Sequence, residues 1–223
     1  MTSPVNDLPD ELGTMPPSER GITRKTEILD AALRIIGRDG LGGLSMRALA
    51  AEAQMPLGAM GYYFRGKQEL IAEAFHRHTQ RETDRVVKTI TDLREGLPSE
   101  HLADRLADFV IEGLGDAREQ LLAEYAFLVE SSRRPELART SSAWQNSLRT
   151  QLRRVLASLG SQSPNTDARL VLAVLAGLEV DNLAEVLQPS QARMVRAVLR
   201  RLFLALDCVR TVSSEKLTVS SEN

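Results

Sequence analysis

The sequence predicts an all-α fold, and three observations support this prediction. Apolar residues recur at helical spacing along nearly the whole chain between its two ends. The period-two alternation of a half-buried strand is missing, and Val and Ile are not clustered. Four later prolines stand where a new helix could start, since proline is favoured in a first helical turn: Pro98, Pro135, Pro164 and Pro189.

These signals predict nine helices, at about 24–38, 46–53, 56–63, 67–94, 99–113, 116–132, 136–159, 166–187 and 190–210. Residues 1–20 contain four prolines and few large apolar side chains, so we expect a disordered tail there. The Ser-rich residues 212–223 predict a second disordered tail.

Composition excludes several classes of protein. The chain has 223 residues, 43% of them hydrophobic, which is enough for a real core in one large domain or two small ones. A net charge of -2 excludes a general polycation, so any contact with nucleic acid must come from a local patch. The single cysteine, Cys208, excludes an internal disulfide and a cysteine zinc cage. The start of the chain lacks the pattern of a signal peptide, and the longest strongly apolar run is far shorter than the roughly 20 residues of a membrane span. We therefore expect a soluble, cytoplasmic protein without membrane contact.

The first three predicted helices have the pattern of a helix-turn-helix unit. The first helix carries a buried stripe, and Gly40, Gly42 and Gly43 end it. Ser45 is a good N-cap for the short second helix, and a tight connection leads to a short third helix that begins at Pro56. Two short helices joined by a tight turn and packed on a longer helix form this motif.

The charge pattern of this unit is suited to DNA. The third helix is nearly bare of large charged groups, so that it could enter the major groove closely. Cations flank it at Arg47, Arg65 and Lys67, where they could meet phosphates on either side. Residues 18–80 hold nine Lys or Arg against seven Asp or Glu and form the only net positive segment of the chain.

A run of residues in this unit resembles the N-terminal domain of the TetR (tetracycline repressor) family. The resemblance covers roughly residues 22–75 and rests on Ile28-Leu29-Asp30-Ala31-Ala32, Gly40, Ser45-Met46-Arg47-Ala48-Leu49-Ala50, Gly58, Tyr62-Tyr63-Phe64, Lys67 and Leu70. It implies a three-helix DNA-binding domain at 21–75, joined by a long helix to a helical domain at 76–211 that binds an effector and dimerises.

The resemblance also implies roles for individual residues. Ser45 and Arg47 would touch phosphate or a base edge, Tyr63 and Lys67 would grip the DNA backbone, and Phe64 would anchor them in the core. The exposed recognition face would comprise Pro56, Leu57, Gly58, Ala59, Gly61 and Tyr62. The chain departs from the family pattern in three places: Gly61 replaces a usual Tyr, Pro56 replaces a capping Ser or Thr, and Gln54 replaces the common turn glycine.

The last two helices predict a homodimer. The nine residues from Leu170 to Leu178 are apolar on every face, so the segment must be covered on every face. The chain's own bundle could cover one side and a partner subunit the other. The alternative is a buried central helix of a monomer. The predicted interface comprises Leu170, Val174, Gly177, Val198, Leu202 and Leu206.

The middle helices predict an effector pocket with apolar walls. Its expected lining comprises Phe109, Leu121, Glu124, Tyr125, Leu128, Trp144, Leu148, Leu178, Asp181 and Asn182. Several carboxylates, among them Glu179, directly follow the apolar run. Their position next to a buried segment needs an explanation, because an unpaired buried charge is costly. They could face solvent, pair with arginines of a partner subunit, or bind a polar or cationic effector beside Tyr125 and Trp144.

Other signals favour binding over catalysis. His76 and His78 do not converge on a helix, so we interpret them as surface side chains and expect no metal site. No nucleophile–base arrangement stands out, and we expect neither an enzyme nor a cofactor. The sequence thus predicts a sequence-specific transcriptional repressor that binds an operator in double-stranded DNA and is released by a small-molecule effector. The alternatives are an activator of the same fold, or a helical small-molecule or protein-binding module without an operator.

Overall fold

A computed structural model describes the backbone of residues 17–91 and 99–220 and the side chains of residues 21–90 and 99–208. Within these ranges the chain forms nine helices and no strand, so the all-α prediction is confirmed. They are α1 (Pro17–Gly43), α2 (Met46–Glu52), α3 (Leu57–Tyr63), α4 (Lys67–Thr91), α5 (Ser99–Leu114), α6 (Arg118–Ser131), α7 (Pro135–Ser158), α8 (Pro164–Asn182) and α9 (Pro189–Ser220). None of the helices in the described residues is both long and apolar enough to cross a bilayer.

Four helix ends differ by five residues or more from their predicted positions. Helix α1 begins at Pro17, since proline suits a first helical position, and it continues past the predicted end near residue 38 to Gly43, across a kink at Gly40. Helix α9 continues to Ser220, nine residues into the segment predicted to be disordered, because neither Gly nor Pro follows Pro189. Of the tails predicted at residues 1–20 and 212–223, residues 1–16 and 221–223 lie outside the described residues.

Helix α8 ends at Asn182, five residues before its predicted end. Arg118, at the start of α6, donates hydrogen bonds to the backbone oxygens of Leu183 at 2.5 Å and Glu185 at 3.1 Å. These bonds satisfy carbonyl groups at the helix end, and Pro189 disfavours helical backbone just before it. The connection from α8 to α9 is therefore fixed to α6.

Local capping and turn chemistry shape the helix-turn-helix unit. The chain kinks at Gly40, whose φ is 69°, and the Ser45 side chain accepts a hydrogen bond from the backbone N–H of Ala48 at 3.1 Å. Between α2 and α3, Gln54 has a φ of 52° and is the only non-glycine residue of the described chain with a positive φ. Glycine adopts this left-handed backbone most readily, which agrees with the turn glycine that the resemblance implies at this position.

Two buried clusters of apolar side chains hold the fold together. The first joins α1–α3 to the start of α4 and to α6, with Phe64, Phe75 and Phe127 among its largest members. The second joins α5, α8 and α9 to the ends of α4 and α7. Helix α6 takes part in both, so it connects the helix-turn-helix unit to the rest of the molecule.

Helices α1 and α6 approach each other at backbone distance. A Cβ atom placed on Gly37 would lie 2.8 Å from the carbonyl carbon of Glu119 and closer still to its oxygen. Only glycine fits such an approach between two helix backbones. The position of α6 is therefore tied directly to α1.

Ion pairs fix α1 against α4. Asp30 of α1 accepts hydrogen bonds from Arg77 at 2.6 Å and Arg81 at 2.9 Å, and Lys25 pairs with Glu73 at 2.6 Å. Partly exposed pairs of this kind contribute only about 0–1 kcal/mol each. Their main effect is to set the orientation of the helix-turn-helix unit on α4.

Candidate DNA interface and ligand cavity

Helix α3 presents a mostly uncharged outer face. Leu57 is 51% exposed and Tyr62 is 86% exposed, whereas Met60 and Phe64 are buried beneath them. The rings of Tyr62 and Tyr63 form a T-shaped pair, with 5.1 Å between ring centroids. Of the other residues predicted for this face, Pro56, Gly58 and Gly61 are exposed, and Ala59, like Tyr63, is half-buried. The structure thus brings the predicted recognition residues together on one surface.

Two glycines, Gly58 and Gly61, leave the outer face of α3 without projecting side chains at their positions. A Cβ atom added at Gly58 or Gly61 would meet nothing within 4 Å. Each glycine destabilises a helix by about 1 kcal/mol relative to alanine. Pro56 at the N-cap adds no side-chain hydrogen bond either. The helix is therefore intrinsically weak, but its backbone can approach another surface closely.

The nine lysines and arginines between residues 21 and 81 fall into two groups. Six of them form ion pairs: Arg24, Lys25, Arg34, Arg38, Arg77 and Arg81. Arg47, Arg65 and Lys67, which flank α3, are exposed and form no ion pair with any described residue. The free positive charge therefore lies beside the recognition face.

Helices α4–α8 surround a cavity of about 460 Å³. Seven residues predicted for a pocket line it: Phe109, Leu121, Glu124, Tyr125, Leu128, Trp144 and Leu148. The prediction was wrong for three residues of α8. Leu178 is buried in the second apolar cluster, Asp181 is exposed, and Asn182 donates a hydrogen bond to the backbone oxygen of Leu178 at 2.8 Å.

Helix α8 supplies a different carboxylate to the cavity, Glu179. Two residues along a helix turn the side chain by about 200°, so Glu179 and Asp181 point in nearly opposite directions. The sequence also missed Glu82 and Arg85 of α4, which line the cavity too. The spacing of three residues between Glu82 and Arg85 was the only sequence signal for a paired position on one helix face. Such spacing is equally common in surface ion pairs, so it does not indicate a cavity.

Arg85 contacts several neighbours on the cavity wall, although its buried Nε has no hydrogen-bond partner in the described chain. It pairs with Glu82 at 3.0 Å and donates a hydrogen bond to the backbone oxygen of Phe109 at 2.7 Å. Its guanidinium group lies 3.9 Å from the centroid of the Phe109 ring. The charge of Glu82 is therefore balanced within the wall.

The other two cavity carboxyls form no ion pair with a lysine or arginine of the described chain. Glu179 is 8% exposed and accepts a hydrogen bond from the Tyr125 hydroxyl at 3.0 Å. Glu124 contacts His78 Nε2 at 3.3 Å. Burial, with repulsion from neighbouring carboxylates, raises the pKa of Glu124 and that of Glu179 to about 8, although the charge of Arg85 acts in the opposite direction on both. Burial also raises the pKa of the Tyr125 hydroxyl, and Glu179 adds to this effect.

His78 is not the surface side chain that the sequence suggested. It is 2% exposed, and burial lowers its pKa to about 4, so the imidazole is neutral at pH 7. Its position on α4 follows the inward-facing residues Ala74 and Phe75 by one helical turn. His76 is exposed, as expected. No group of acidic, His or Cys side chains in the described chain is arranged to hold a metal ion.

Aromatic contacts connect the cavity to the helix-turn-helix core. His78 lies 6.1 Å, between ring centroids, from both Trp144 and Phe127. Phe127 stacks on Phe75 at 4.7 Å. The cavity wall and the first apolar cluster therefore share packed side chains.

The outer face of α8 and α9 exposes apolar side chains. Leu170 is 44% exposed, and Gly177 is exposed near it along the helix. Among the α9 side chains that the structure describes, up to Cys208, the exposed large apolar residues are Met194 and Leu204. The other residues predicted for an interface are half-buried against the chain's own second cluster: Val174, Val198, Leu202 and Leu206. In the single chain, the exposed apolar residues of the described part of α9 therefore differ from those that the sequence suggested for an interface.

Two family models match the sequence. Residues 28–74 match "Bacterial regulatory proteins, tetR family", and residues 97–205 match "Tetracyclin repressor-like, C-terminal domain". The first match covers the helix-turn-helix unit, and the second ends within α9.

Known proteins resemble the chain over most of its length. The nicotine-responsive transcriptional repressor HdnoR of Paenarthrobacter nicotinovorans is 24% identical over 176 residues, which are 75% of this chain and 88% of that protein. A transcriptional regulator from Rhodococcus sp. Rha1 has the same fold, with a TM-score of 0.67, 24% identity and coverage of 82% and 95%.

The multidrug binding protein EbrR is more similar in sequence. In its structure with proflavin it is 31% identical, with a TM-score of 0.54 and coverage of 80% of this chain and 99% of EbrR. It has also been crystallised with ethidium and malachite green. Together with the two family matches, this resemblance shows that the chain belongs to the tetR family and is a helix-turn-helix transcriptional regulator.

Proposed function

We propose that this protein is a dimeric repressor that leaves its operator when a small organic cation occupies the cavity. The observation that carries the proposal is the pair Glu124 and Glu179, buried at the cavity with no arginine or lysine paired to either among the described residues. A buried carboxylate without a partner is costly, and a cationic ligand removes that cost. The cavity has a binding role in this proposal and no catalytic one.

The shape and lining of the cavity support the same ligand class. A volume of about 460 Å³ is within the usual range for small-molecule sites. Trp144 and Tyr125 offer aromatic surface beside the carboxyls, and aromatic rings attract organic cations. EbrR supports this assignment, because proflavin, ethidium and malachite green are aromatic cations.

Operator binding is supported by the surface around α3. Arg47, Arg65 and Lys67 are free to meet phosphates, while the uncharged outer face of α3 enters the major groove. A two-fold dimer would place its two α3 helices in successive major grooves, about one helical turn apart. The exposed apolar face of α8 and α9 supports the dimer. We expect the protein to act in the cytoplasm, where its operator lies.

Release of the protein from its operator follows from the helices that connect the cavity to the helix-turn-helix unit. Helix α4 carries Lys67 at its start and Glu82 in the cavity wall, and α6 carries Glu124 and packs against α1. A ligand that binds better to one arrangement of α4 and α6 would shift the population toward it. The spacing of the two α3 helices then no longer fits the operator.

The ligand class is tested with purified protein and a panel of organic cations, neutral aromatics and anions. We expect cations such as ethidium to bind, and we expect Glu124→Gln and Glu179→Gln each to weaken their affinity by about tenfold or more, because a charge-assisted contact is lost. Asp181→Asn removes a similar charge from α8 outside the cavity and should leave affinity unchanged. Thermal shift and calorimetry measure both effects. Binding restricted to neutral or anionic compounds, unaffected by the glutamine variants, would contradict the cation assignment.

The operator contacts are tested by salt-dependent binding to DNA from the protein's own gene neighbourhood. Lys67→Ala should weaken binding to all sequences and lower the salt slope by about one unit, because one phosphate contact is lost. Arg47→Ala should in addition relax specificity at one base pair, by roughly 1–3 kcal/mol.

Arg154→Ala, which removes an exposed arginine of α7, serves as the control and should change neither quantity. Identical sequence profiles for wild type and Arg47→Ala would show that Arg47 only positions the protein on the backbone. A salt slope unchanged by Lys67→Ala would remove Lys67 from the interface.

A further inference from the structure

We propose that the cavity exchanges a proton for its ligand: a permanently charged cation enters as the Glu124–Glu179 pair releases a proton to solvent, so operator release depends on pH as well as on the ligand. This inference rests on the proposed function, since it presumes that a cation occupies the cavity. The O–H bond of one carboxylic acid breaks, the proton passes to water or buffer, and the carboxylate left behind neutralises the ligand.

The geometry supplies the reason for the exchange. The polar contacts of the two carboxyls in the described chain are neutral groups, the Tyr125 hydroxyl at 3.0 Å from Glu179 and the His78 imidazole at 3.3 Å from Glu124. Both carboxyls are largely buried. A carboxyl that is buried without a cation is more stable in its neutral form, and a bound cation reverses this preference.

The charged groups that face the pair from the surrounding helices do not replace such a cation. On α4, Arg85 attracts both carboxyls, but it is paired with Glu82, which repels both of them. On α7, Arg149 donates a hydrogen bond to the side chain of Asn146. On α8, Arg169 lines the cavity but is exposed to solvent. Helix α5 lines the cavity with Leu106 and Phe109, which do not titrate.

His78 accommodates either state of Glu124. Its pKa of about 4 keeps the imidazole neutral near pH 7, so Nε2 can accept a hydrogen bond from the protonated carboxyl or, in the other tautomer, donate one to the carboxylate. The Tyr125 hydroxyl donates to Glu179 in both states. The cavity therefore keeps both hydrogen bonds when the proton leaves.

The direction of the pH effect follows from linkage. In the empty cavity both carboxyls have a pKa of about 8, so at pH 7 each is mostly protonated. A bound cation lowers these pKa values, and binding at pH 7 then releases protons. Affinity for a permanent cation should rise with pH, by up to about tenfold per pH unit for each proton released, and should level off above about pH 8.

The experiment is calorimetric titration of the full-length protein with ethidium in the absence of DNA. Ethidium has a permanent charge and does not titrate near neutral pH, so any proton released comes from the protein. Titrations at one pH near 7 in phosphate and in Tris, whose ionisation enthalpies differ strongly, give the number of protons released. We expect about one per ligand, because ionisation of one carboxyl opposes that of the other. The dissociation constant, followed from pH 6 to pH 9, should fall and then level off.

Three variants identify the carboxyl groups that release the proton when ethidium binds. Either Glu124→Gln or Glu179→Gln should reduce the proton release and flatten the pH dependence, whereas Asp181→Asn should preserve both. Normal ethidium binding with no proton release and a constant affinity from pH 6 to pH 9 would overturn the exchange and leave the cation-responsive repressor intact. Absence of binding by any organic cation at every pH would overturn both proposals. If the glutamine variants fail to fold, the two-buffer measurement on wild type still decides the question.

Discussion

A chain that carries both Leu170→Glu and Leu204→Glu is expected to be monomeric and to bind its operator about 10²–10⁴-fold more weakly than wild type, because two linked half-site contacts become one. The two leucines are 44% and 60% exposed in the single chain, and one lies on each helix of the proposed interface. A carboxylate at either position would have to lose its water in the dimer without a partner. Sedimentation and DNA titration measure the two effects.

The matched control is Val129→Glu on α6. Val129 is 60% exposed, like Leu204, but lies outside α8 and α9, so the same kind of charge should leave the dimer and operator binding intact. Leu202→Glu is unsuitable, because Leu202 packs against the second apolar cluster and its loss would also destabilise the chain itself. A Leu170→Glu, Leu204→Glu double variant that sediments as a dimer would contradict an interface on this face.

Gly37→Ala should lower the free energy of unfolding by about 1–3 kcal/mol, although alanine is the better helix former. The added methyl group would meet the backbone of Glu119, and two packed helices would have to move apart to admit it. For a chain of this size, each kcal/mol corresponds to a decrease in Tm of about 2–4 °C. Thermal and urea unfolding give the value.

Gly61→Ala provides the opposite case in the same protein. A Cβ atom at Gly61 meets nothing within 4 Å, so this substitution should raise stability by about 0.5–1 kcal/mol. It should also weaken operator binding, because the methyl group projects from the proposed DNA face. An unchanged Tm for Gly37→Ala would contradict the backbone contact between α1 and α6.

The helix-turn-helix unit could be predicted from sequence because its signals are local. Ser45 caps α2 through its own side chain, and the turn at Gln54 follows from a short connection between two short helices. The end of α9 could not be predicted in this way. The Ser-rich composition after residue 211 suggested disorder, but nothing in that segment interrupts the helix that precedes it.

The cavity could be predicted only in part, because its lining depends on helix rotation. The aromatic and apolar residues of α5–α7 were identified, since bulky side chains at helical spacing must face inward. On α8 every face is apolar, so the sequence does not distinguish Glu179 from Asp181 as the inward carboxylate. His78 and Glu82 look like ordinary surface residues of a long helix until α6 and α7 are packed against them.

The chain contains one tryptophan, and it stands in the wall of the cavity. Trp144 is 7% exposed, its indole N–H has no hydrogen-bond partner in the described chain, and its ring lies 6.1 Å from that of His78. All indole fluorescence of this protein therefore originates at the proposed ligand site. An aromatic cation that enters the cavity comes within a few ångströms of this fluorophore, so the protein carries its own optical reporter of occupancy and needs no label.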